Sequence, residues 1–508
     1  MRRLIPVLAI FAAGFCGMIA EYSVSTVAGY LVGNSAAAFT ILISTFMFCM
    51  GIGAVASEKV ARDEVRIFLF VEIVLSILCA TSAVFLSRAA VIDLTWEAAL
   101  LVAGFIGLLI GFEVPLLMRI NEQHGVLLKE NVARVFAADY MGSFLAGLLF
   151  VPVLLPTLGA VLTPVLGGAI NLAVAASVFW AFRPNRGARV LVFGMTMAAT
   201  IIGLTMVYGE TVVLADEQKQ YEDPIVYREQ TAYQTIAITE LNGENCLYLN
   251  GQTQFCSIDE ARYHELLVHP AFALNPNARR VLVLGGGDGL ATREILKYEN
   301  AEVTLVDLDP RMTELAVENP ILAGLNGGSL ANPRVRVVNA DAFTWLANDA
   351  TLWDVVLVDL PDPEHEALAK LYSLEFYRMV KYHLAPGGVM TTQSTSPYHA
   401  REAFATIVQT VQAADLSVVP YRVNVPTFGD WGFTMATRRE ERSAKQMRDA
   451  LDAFEPRVPT RILNRDAMQA ATRFEKGILD DASTKASVNR LMRPTILAAY
   501  DKSWKASD

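Results

Sequence analysis

The sequence predicts a multi-span α-helical membrane domain followed by an α/β Rossmann-like domain that opens with a small antiparallel β-sheet. Three observations carry that prediction. The 508-residue chain is 53% hydrophobic and only 19% charged, whereas soluble domains are about 25% charged. The excess lies in the first 210 residues or so. Beyond them, short apolar runs alternate with turn residues, and one run leads into Gly285-Gly286-Gly287-Asp288-Gly289 and a helical pattern. The expected division is a transmembrane domain over 1–209, a connector and small β-hairpin domain over 210–278, a Rossmann-like domain over 279–440 and a helical C-terminal segment over 441–508.

A membrane crossing needs about 20 mostly apolar residues. Seven segments qualify, near 4–20, 37–56, 66–87, 97–118, 134–156, 160–181 and 189–208. Arg2 and Arg3 precede the first, but no small-residue cleavage site ends it, so it reads as a helix. Basic residues mark alternate connections: Lys59, Arg62 and Arg66 in the second, Arg119, Lys129 and Arg134 in the fourth, Arg183, Arg186 and Arg189 in the sixth. The positive-inside rule then puts the N-terminus in the cytoplasm, and seven crossings put the soluble half outside. Glu72, Glu113 and Asp139 fall in or beside apolar segments. Charges at that depth cost a few kcal/mol and mark functional suspects. They either line a path for a polyamine or another cation, or have a helix-packing role or an interfacial position.

The net charge of -10 and the lack of a basic stripe argue against a nucleic-acid partner. An acidic balance suits a cationic substrate, or is a solvated face. The five cysteines, Cys16, Cys49, Cys79, Cys246 and Cys256, form no CxxC pair or Cys/His cluster, so no zinc or iron–sulfur site and no other metal is expected. Cys246 and Cys256 flank a hairpin and read as a packed pair of free thiols; a disulfide there would require an oxidising compartment.

In the second half, 210–232 is a polar connector ending in extended structure. Gln234 to Thr239 alternates as a strand, Cys246 to Leu249 forms another, and Asn250-Gly251 is a type I′ hairpin signal before Gln252 to Phe255 return. Asp259 and Glu260 lead into a helix carrying Tyr263, His264 and Glu265. Arg280 to Leu284 is a buried strand, and the glycines after it let a ligand approach the next helix start. Asp307 ends a second strand, where a carboxylate can hold both ribose hydroxyls. Asp341 and Ala342 follow a third strand beside the place of an adenine ring. The fourth, Asp354 to Val358, ends in Asp359-Leu360-Pro361-Asp362-Pro363. Asp288, Asp307, Asp341, Asp359 and Asp362 at successive strand ends fit an adenosyl-sulfonium ligand beyond the carboxyl edge of the sheet.

These residues resemble the spermidine synthase (polyamine aminopropyltransferase) family from about Tyr233 to Arg438. The matches include Tyr233-Gln234, Leu247 to Gly251, Gln254, Asp259-Glu260, Tyr263-His264-Glu265 and Gly285 to Gly289. They continue through Asp307, Asp341-Ala342, Asp359 and Asp362-Pro363, Gln393-Ser394, Pro426-Thr427 and Trp431-Gly432-Phe433. The membrane half is similar to that of bacterial members with an N-terminal multi-span region, which implies a multi-pass inner-membrane protein. The resemblance implies decarboxylated S-adenosylmethionine as co-substrate, with no tightly bound cofactor. It implies that Gln234, Asp307, Asp341 and Ala342 hold the nucleoside, beside the Gly285 and Gly287 turn. His264 and Asp288 would bind around the aminopropyl arm. Tyr263, Gln254, Asp359 and Asp362 would position a diamine such as putrescine, with Asp359 as proton acceptor. A cytoplasmic donor supply opposes the outside placement from loop charges. Soluble relatives associate, which implies a homo-oligomer.

The chain departs from the family pattern where a Gly-Pro loop usually follows the Asp-Pro, having Glu364-His365-Glu366 instead. Asn250 stands where an acid is common, and Leu290 replaces a glycine. Two other readings remain open: a membrane methyltransferase using intact S-adenosylmethionine, with Arg293 nearest to meet its carboxylate, and a non-catalytic polyamine transporter or sensor. The residues from about Glu440 to Asp508 carry no assignable chemistry.

Overall fold

A computed structural model describes residues 5–32, 35–60, 63–123, 127–184, 186–479 and 486–504. Arg2, Arg3 and Arg62 lie outside the described residues. The chain divides into two compact units, Met1–Glu222 and Asp223–Asp508.

The first unit is helical: α1 (Ile5–Val32), α2 (Ser35–Ala56), α3 (Glu64–Ala90), α4 (Thr95–Gln123), α5 (Leu128–Leu149), α6 (Leu155–Phe182) and α7 (Ala188–Glu217). Among the described residues, six uninterrupted stretches are long and apolar enough to cross a membrane, against the seven expected. The difference arises because 134–156 and 160–181 run together in one stretch, Lys129–Phe182. A π-helical turn over Phe150–Leu154 joins α5 to α6, and within α6 Gly159 breaks the helical backbone with φ +70° and ψ 179°. α7 also continues through residues expected to form the connector. Glu72 and Glu113 are buried, and both carboxylate oxygens of Glu72 and one of Glu113 have no hydrogen-bond partner among the described residues. Asp139 is half-buried, close against the α1 backbone at Gly14.

The second unit opens with a four-stranded antiparallel sheet, β1 (Ile225–Gln230), β2 (Thr235–Leu241), β3 (Glu244–Leu249) and β4 (Gln252–Cys256), in that order. Asn250 and Gly251 both take positive φ, as the hairpin signal requires. The β3–β4 register sets Cys246 directly opposite Cys256, and the two form a disulfide instead of the expected free thiol pair. Directly opposed side chains in an antiparallel pair are near enough for that bond.

The larger sheet comprises β5 (Arg280–Gly285), β6 (Glu302–Asp307), β7 (Val335–Asn339), β8 (Trp353–Asp359), β9 (Leu384–Gln393), β10 (Leu416–Val425) and β11 (Gly429–Arg438). Its order is β10-β11-β9-β8-β5-β6-β7. β7, β6, β5, β8 and β9 pair in parallel, and β11 and β10 add antiparallel. Val281 to Leu284 and Val355 to Val358 are buried because helices cover both faces of the parallel core. The C-terminal segment is helical over Ala444–Asp452, Arg465–Ala471 and Thr495–Trp504. It is tied to the fold by Glu265, whose carboxylate accepts the backbone N–H groups of Arg461, Ile462 and Leu463.

Candidate active site

The site lies at the carboxyl ends of β5, β6 and β8. Gly285 closes β5 with φ +85°, and a Cβ there would strike the Asp359 carbonyl, so the turn after β5 and the end of β8 approach as only glycine permits. The Gly286 N–H donates to that carbonyl at 3.0 Å. Gly287 lies equally close to Asp307: its N–H donates to Asp307 Oδ2 at 3.1 Å, and a Cβ would stand 2.6 Å from the same oxygen.

Asp307 Oδ1 accepts the Asp309 N–H at 2.9 Å. Loss of water pushes the Asp307 carboxyl up to about 6, against the lowering effect of these N–H donors. Asp309 in turn accepts from Gln234 Nε2 at 3.0 Å and from Thr231 at 2.8 Å. Gln234 is therefore linked to Asp307 through Asp309, a residue the sequence reading passed over. An acid two positions after a strand-ending acid was the available signal. Asp341 caps the helix Ala342–Asn348 by accepting the Thr344 N–H at 2.9 Å, and Lys370 Nζ meets its other oxygen at 2.6 Å. Burial opposes ionisation there, but Lys370 and Thr344 hold that carboxyl below its usual range. Ala342 is buried beside it.

Asp288 accepts the Leu290 N–H at 2.7 Å on its Oδ1. His264 is buried, with Nδ1 3.0 Å from Glu260 Oε2. Burial disfavours its charged form, but Glu260, Asp288 and Asp359 together raise its pKa. Glu260 is buried and also bonded by Arg293, at 2.8 Å, and by Arg461. Burial opposes its ionisation, but His264 and Arg293 outweigh burial and hold its carboxyl well below the usual range. Arg293 also donates to Glu294 and to the Leu325 carbonyl. That guanidinium is committed to the protein, which removes the group named for meeting the carboxylate of intact S-adenosylmethionine.

Tyr263, held between His264, Phe433 and Phe428, donates its hydroxyl to Asp359 Oδ1 at 2.6 Å. Shielding from water pushes Asp359 up to about 6; His264 and Tyr263 pull it down and Asp288 pushes it up. Asp362 accepts from Gln393 Nε2 at 3.2 Å and Thr395 Oγ1 at 2.9 Å. It too is raised to about 6 by burial, partly offset by Tyr500, Thr395 and Gln393. Gln393 ends β9 and also bonds Tyr372 and the Leu360 carbonyl. Asp259 accepts from the Thr427 N–H and hydroxyl, both at 2.9 Å, joining the start of the Tyr263 helix to the β10–β11 turn. Gln254 stands apart: its amide bonds the Gln252 carbonyl of its own strand.

A Rossmann-like sheet whose strand ends gather acids around a glycine turn, with a tyrosine–carboxylate pair beyond the central strand, defines a nucleoside-dependent transferase. The spermine/spermidine synthase domain matches residues 260–447. The chain is 40% identical to a polyamine aminopropyltransferase of Oceanobacillus iheyensis, over 96% of this chain and 95% of that one. It is 39% identical to polyamine aminopropyltransferase 1 of Streptomyces coelicolor, over 99% and 95%. A spermidine synthase solved in complex with the transition state analogue AdoDATO is 24% identical, with TM-score 0.46, covering 51% of this chain and 88% of its own. The chain belongs to the polyamine aminopropyltransferase family.

Proposed function

We propose that this chain transfers an aminopropyl group from decarboxylated S-adenosylmethionine to putrescine, giving spermidine and methylthioadenosine. The observation that carries the proposal is the Tyr263–Asp359 pair at the end of β8, against the glycine turn that leads to Asp307. Asp307, with Gln234 behind it through Asp309, holds the ribose; Asp341 and Ala342 border the adenine. Asp288 and His264 flank the aminopropyl arm, and Tyr263 and Asp362 position the amine.

In the reaction the amine lone pair forms a bond to the propyl carbon attached to S⁺. The carbon–sulfur bond breaks, and its electrons make sulfur a neutral thioether. Asp359 takes a proton from the incoming ammonium, which frees the lone pair that forms the new bond to carbon. An alkyl amine has a pKa of about 10, so a nearby carboxylate is needed to make it nucleophilic. A positioned base contributes about 10²–10⁴-fold, and alignment of the two substrates adds to it.

We further propose that Met1–Glu222 is embedded in a lipid bilayer and that the chain associates with copies of itself. Phe48, Phe144, Trp180 and Phe193 are each at least 70% exposed on helix faces, as lipid contact favours. The 54-residue stretch Lys129–Phe182 would be about 80 Å long at about 1.5 Å per residue, well over a hydrocarbon core of about 30 Å. It is read as two crossings hinged at Gly159, seven in total.

The test is turnover by the full chain in detergent with putrescine and either decarboxylated or intact S-adenosylmethionine. Methylthioadenosine from the decarboxylated donor alone is expected. S-adenosylhomocysteine from the intact donor would replace this reading with methyl transfer, and donor binding without turnover would replace it with a sensor.

A further inference from the structure

We propose that Glu260 is a positioning residue that fixes His264 with its single proton on Nδ1, so that Nε2 accepts a hydrogen bond from the terminal ammonium of the donor's aminopropyl arm, and that Arg461 of the C-terminal segment steadies Glu260 in that task. The inference rests on the aminopropyl-transfer reading and deepens it.

The place of the proton follows from what surrounds Nδ1. It lies 2.9 Å from the Glu260 carbonyl and 3.0 Å from Glu260 Oε2, one turn earlier on the helix Glu260–Leu274. A carbonyl can only accept. The carboxylate also can only accept while it is ionised, and two guanidinium groups keep it so: Arg293 bonds Oε2 at 2.8 Å and Arg461 bonds Oε1. A ring nitrogen between two acceptors must be the donor. The ring packs against Phe255 and Tyr263, which resists its rotation.

In a neutral imidazole with Nδ1 protonated, the lone pair is on Nε2, and among the described residues nothing bonds that nitrogen. A primary ammonium has three N–H donors and no acceptor. It therefore binds this ring only through such a lone pair; the other tautomer, or the imidazolium, would set N–H against N–H. The groups that bear on the proton count come from several elements. Burial opposes a second proton on the ring, whereas Glu260 on its own helix, Asp288 after β5 and Asp359 at the end of β8 favour one. Arg293 and Arg461 share the Glu260 charge and so weaken its pull, and the donor's ammonium acts in the same direction.

Arg461 is delivered by the same helix that it serves. Glu265 accepts the backbone N–H groups of Arg461, Ile462 and Leu463, while the Arg461 side chain reaches back to Glu260. The segment thus grips the helix of His264 at two acids, which gives a role to a stretch whose sequence carried no recognisable chemistry.

The test reads the proton itself. In the full chain in detergent, labelled with nitrogen-15 histidine, the His264 signals are identified among the six histidines by their loss in His264→Gln. The wild-type chain should show Nδ1 protonated and Nε2 bare. In Glu260→Gln the two arginines claim the amide oxygen, the amide N–H₂ faces Nδ1, and the proton should move to Nε2. The KM for decarboxylated S-adenosylmethionine should then rise at least about 10-fold, as loss of a hydrogen bond to a charged group produces. The inhibition constant of the propyl sulfonium analogue that lacks the terminal amine should stay near its original value, which also reports that the site is folded. Arg461→Gln should shift the ratio of the two constants in the same direction by about 2–5-fold, because its guanidinium is half-exposed, and Arg461→Lys should recover most of that loss. A proton on Nε2 in the wild-type chain, or equal changes in the two constants, would overturn the proposal. Failure of the wild-type chain to turn over putrescine would instead refute the reaction itself.

Discussion

The Tyr263 hydroxyl donates to Asp359 Oδ1 at 2.6 Å, and the same carboxylate lies within the fields of His264 and Asp288. The hydrogen bond orients one oxygen, and in the proposed reaction the other takes the amine proton. Asp359→Asn should lower kcat about 10²–10⁴-fold, the usual contribution of a positioned base. Tyr263→Phe should lower it less, about 10-fold, and should raise the Asp359 pKa, because the hydrogen bond favours the carboxylate. Steady-state rates with both substrates saturating check both outcomes.

The pH dependence of kcat/KM follows from the same carboxyls. Asp359 and Asp362 are raised to about 6, so the acid limb for the free enzyme should lie near pH 6, with activity falling below it. A bound ammonium favours their ionised forms, so the acid limb of kcat should lie lower. In Asp359→Asn the limb should reduce to the single ionisation of Asp362, and a limb of unchanged steepness would contradict the assignment.

Stability should respond with opposite signs on two sides. For Asp359, Asp362 and Glu364 the folded pKa is raised to about 6, about 6 and about 7. Their contribution is complete below the unfolded values of about 4 and is lost as pH rises to about 7. Glu260 and Glu294 are depressed, Glu294 to about 2. Their contribution is complete above about 4 and is lost as pH falls through the folded values. The unliganded catalytic unit should therefore be most stable at about pH 4–5. Added putrescine should stabilise it most at the higher pH. Thermal unfolding of the full chain at a series of pH values reads this directly.

Asp307→Asn should raise the KM for the donor about 10-fold or more while leaving that for putrescine near its original value, since charged hydrogen bonds contribute about 1.5–3 kcal/mol. Gln234→Ala should act in the same direction more weakly, because its amide bonds Asp309. Equal changes in both KM values would contradict the division of the site.

If Met1–Glu222 crosses a bilayer seven times, the chain should stay with membranes through an alkaline wash and leave only in detergent. Reporters at the N- and C-termini should then lie on opposite faces. Release by the wash would contradict embedding, and reporters on one face would contradict seven crossings.

The parts of this account that were legible in sequence are those set by local rules. Asn250-Gly251 announced its hairpin because both positions need positive φ, although Asn242-Gly243 carries the same signal at the β2–β3 turn and was passed over. The strands before Gly285, Asp307 and Asp359 were legible because buried parallel strands are continuous apolar runs. Lys370 and Tyr500 were not legible, because each reaches its partner across a long sequence separation, whereas Asp309 stood two positions after a strand-ending acid and was passed over. The sequence separated 134–156 from 160–181 but did not show that one stretch joins them, because Pro and Gly near Gly159 bend a helix without ending it. The disulfide depended on a one-residue choice of register, which spacing alone does not fix.

The most direct measurement is mass spectrometry of the amine formed by the full chain from decarboxylated S-adenosylmethionine and putrescine, beside Asp359→Asn. Spermidine and methylthioadenosine in equal amounts, with both falling together in the variant, are the predicted result. Methylthioadenosine without spermidine, or an Asp359→Asn variant as fast as the original, would contradict it.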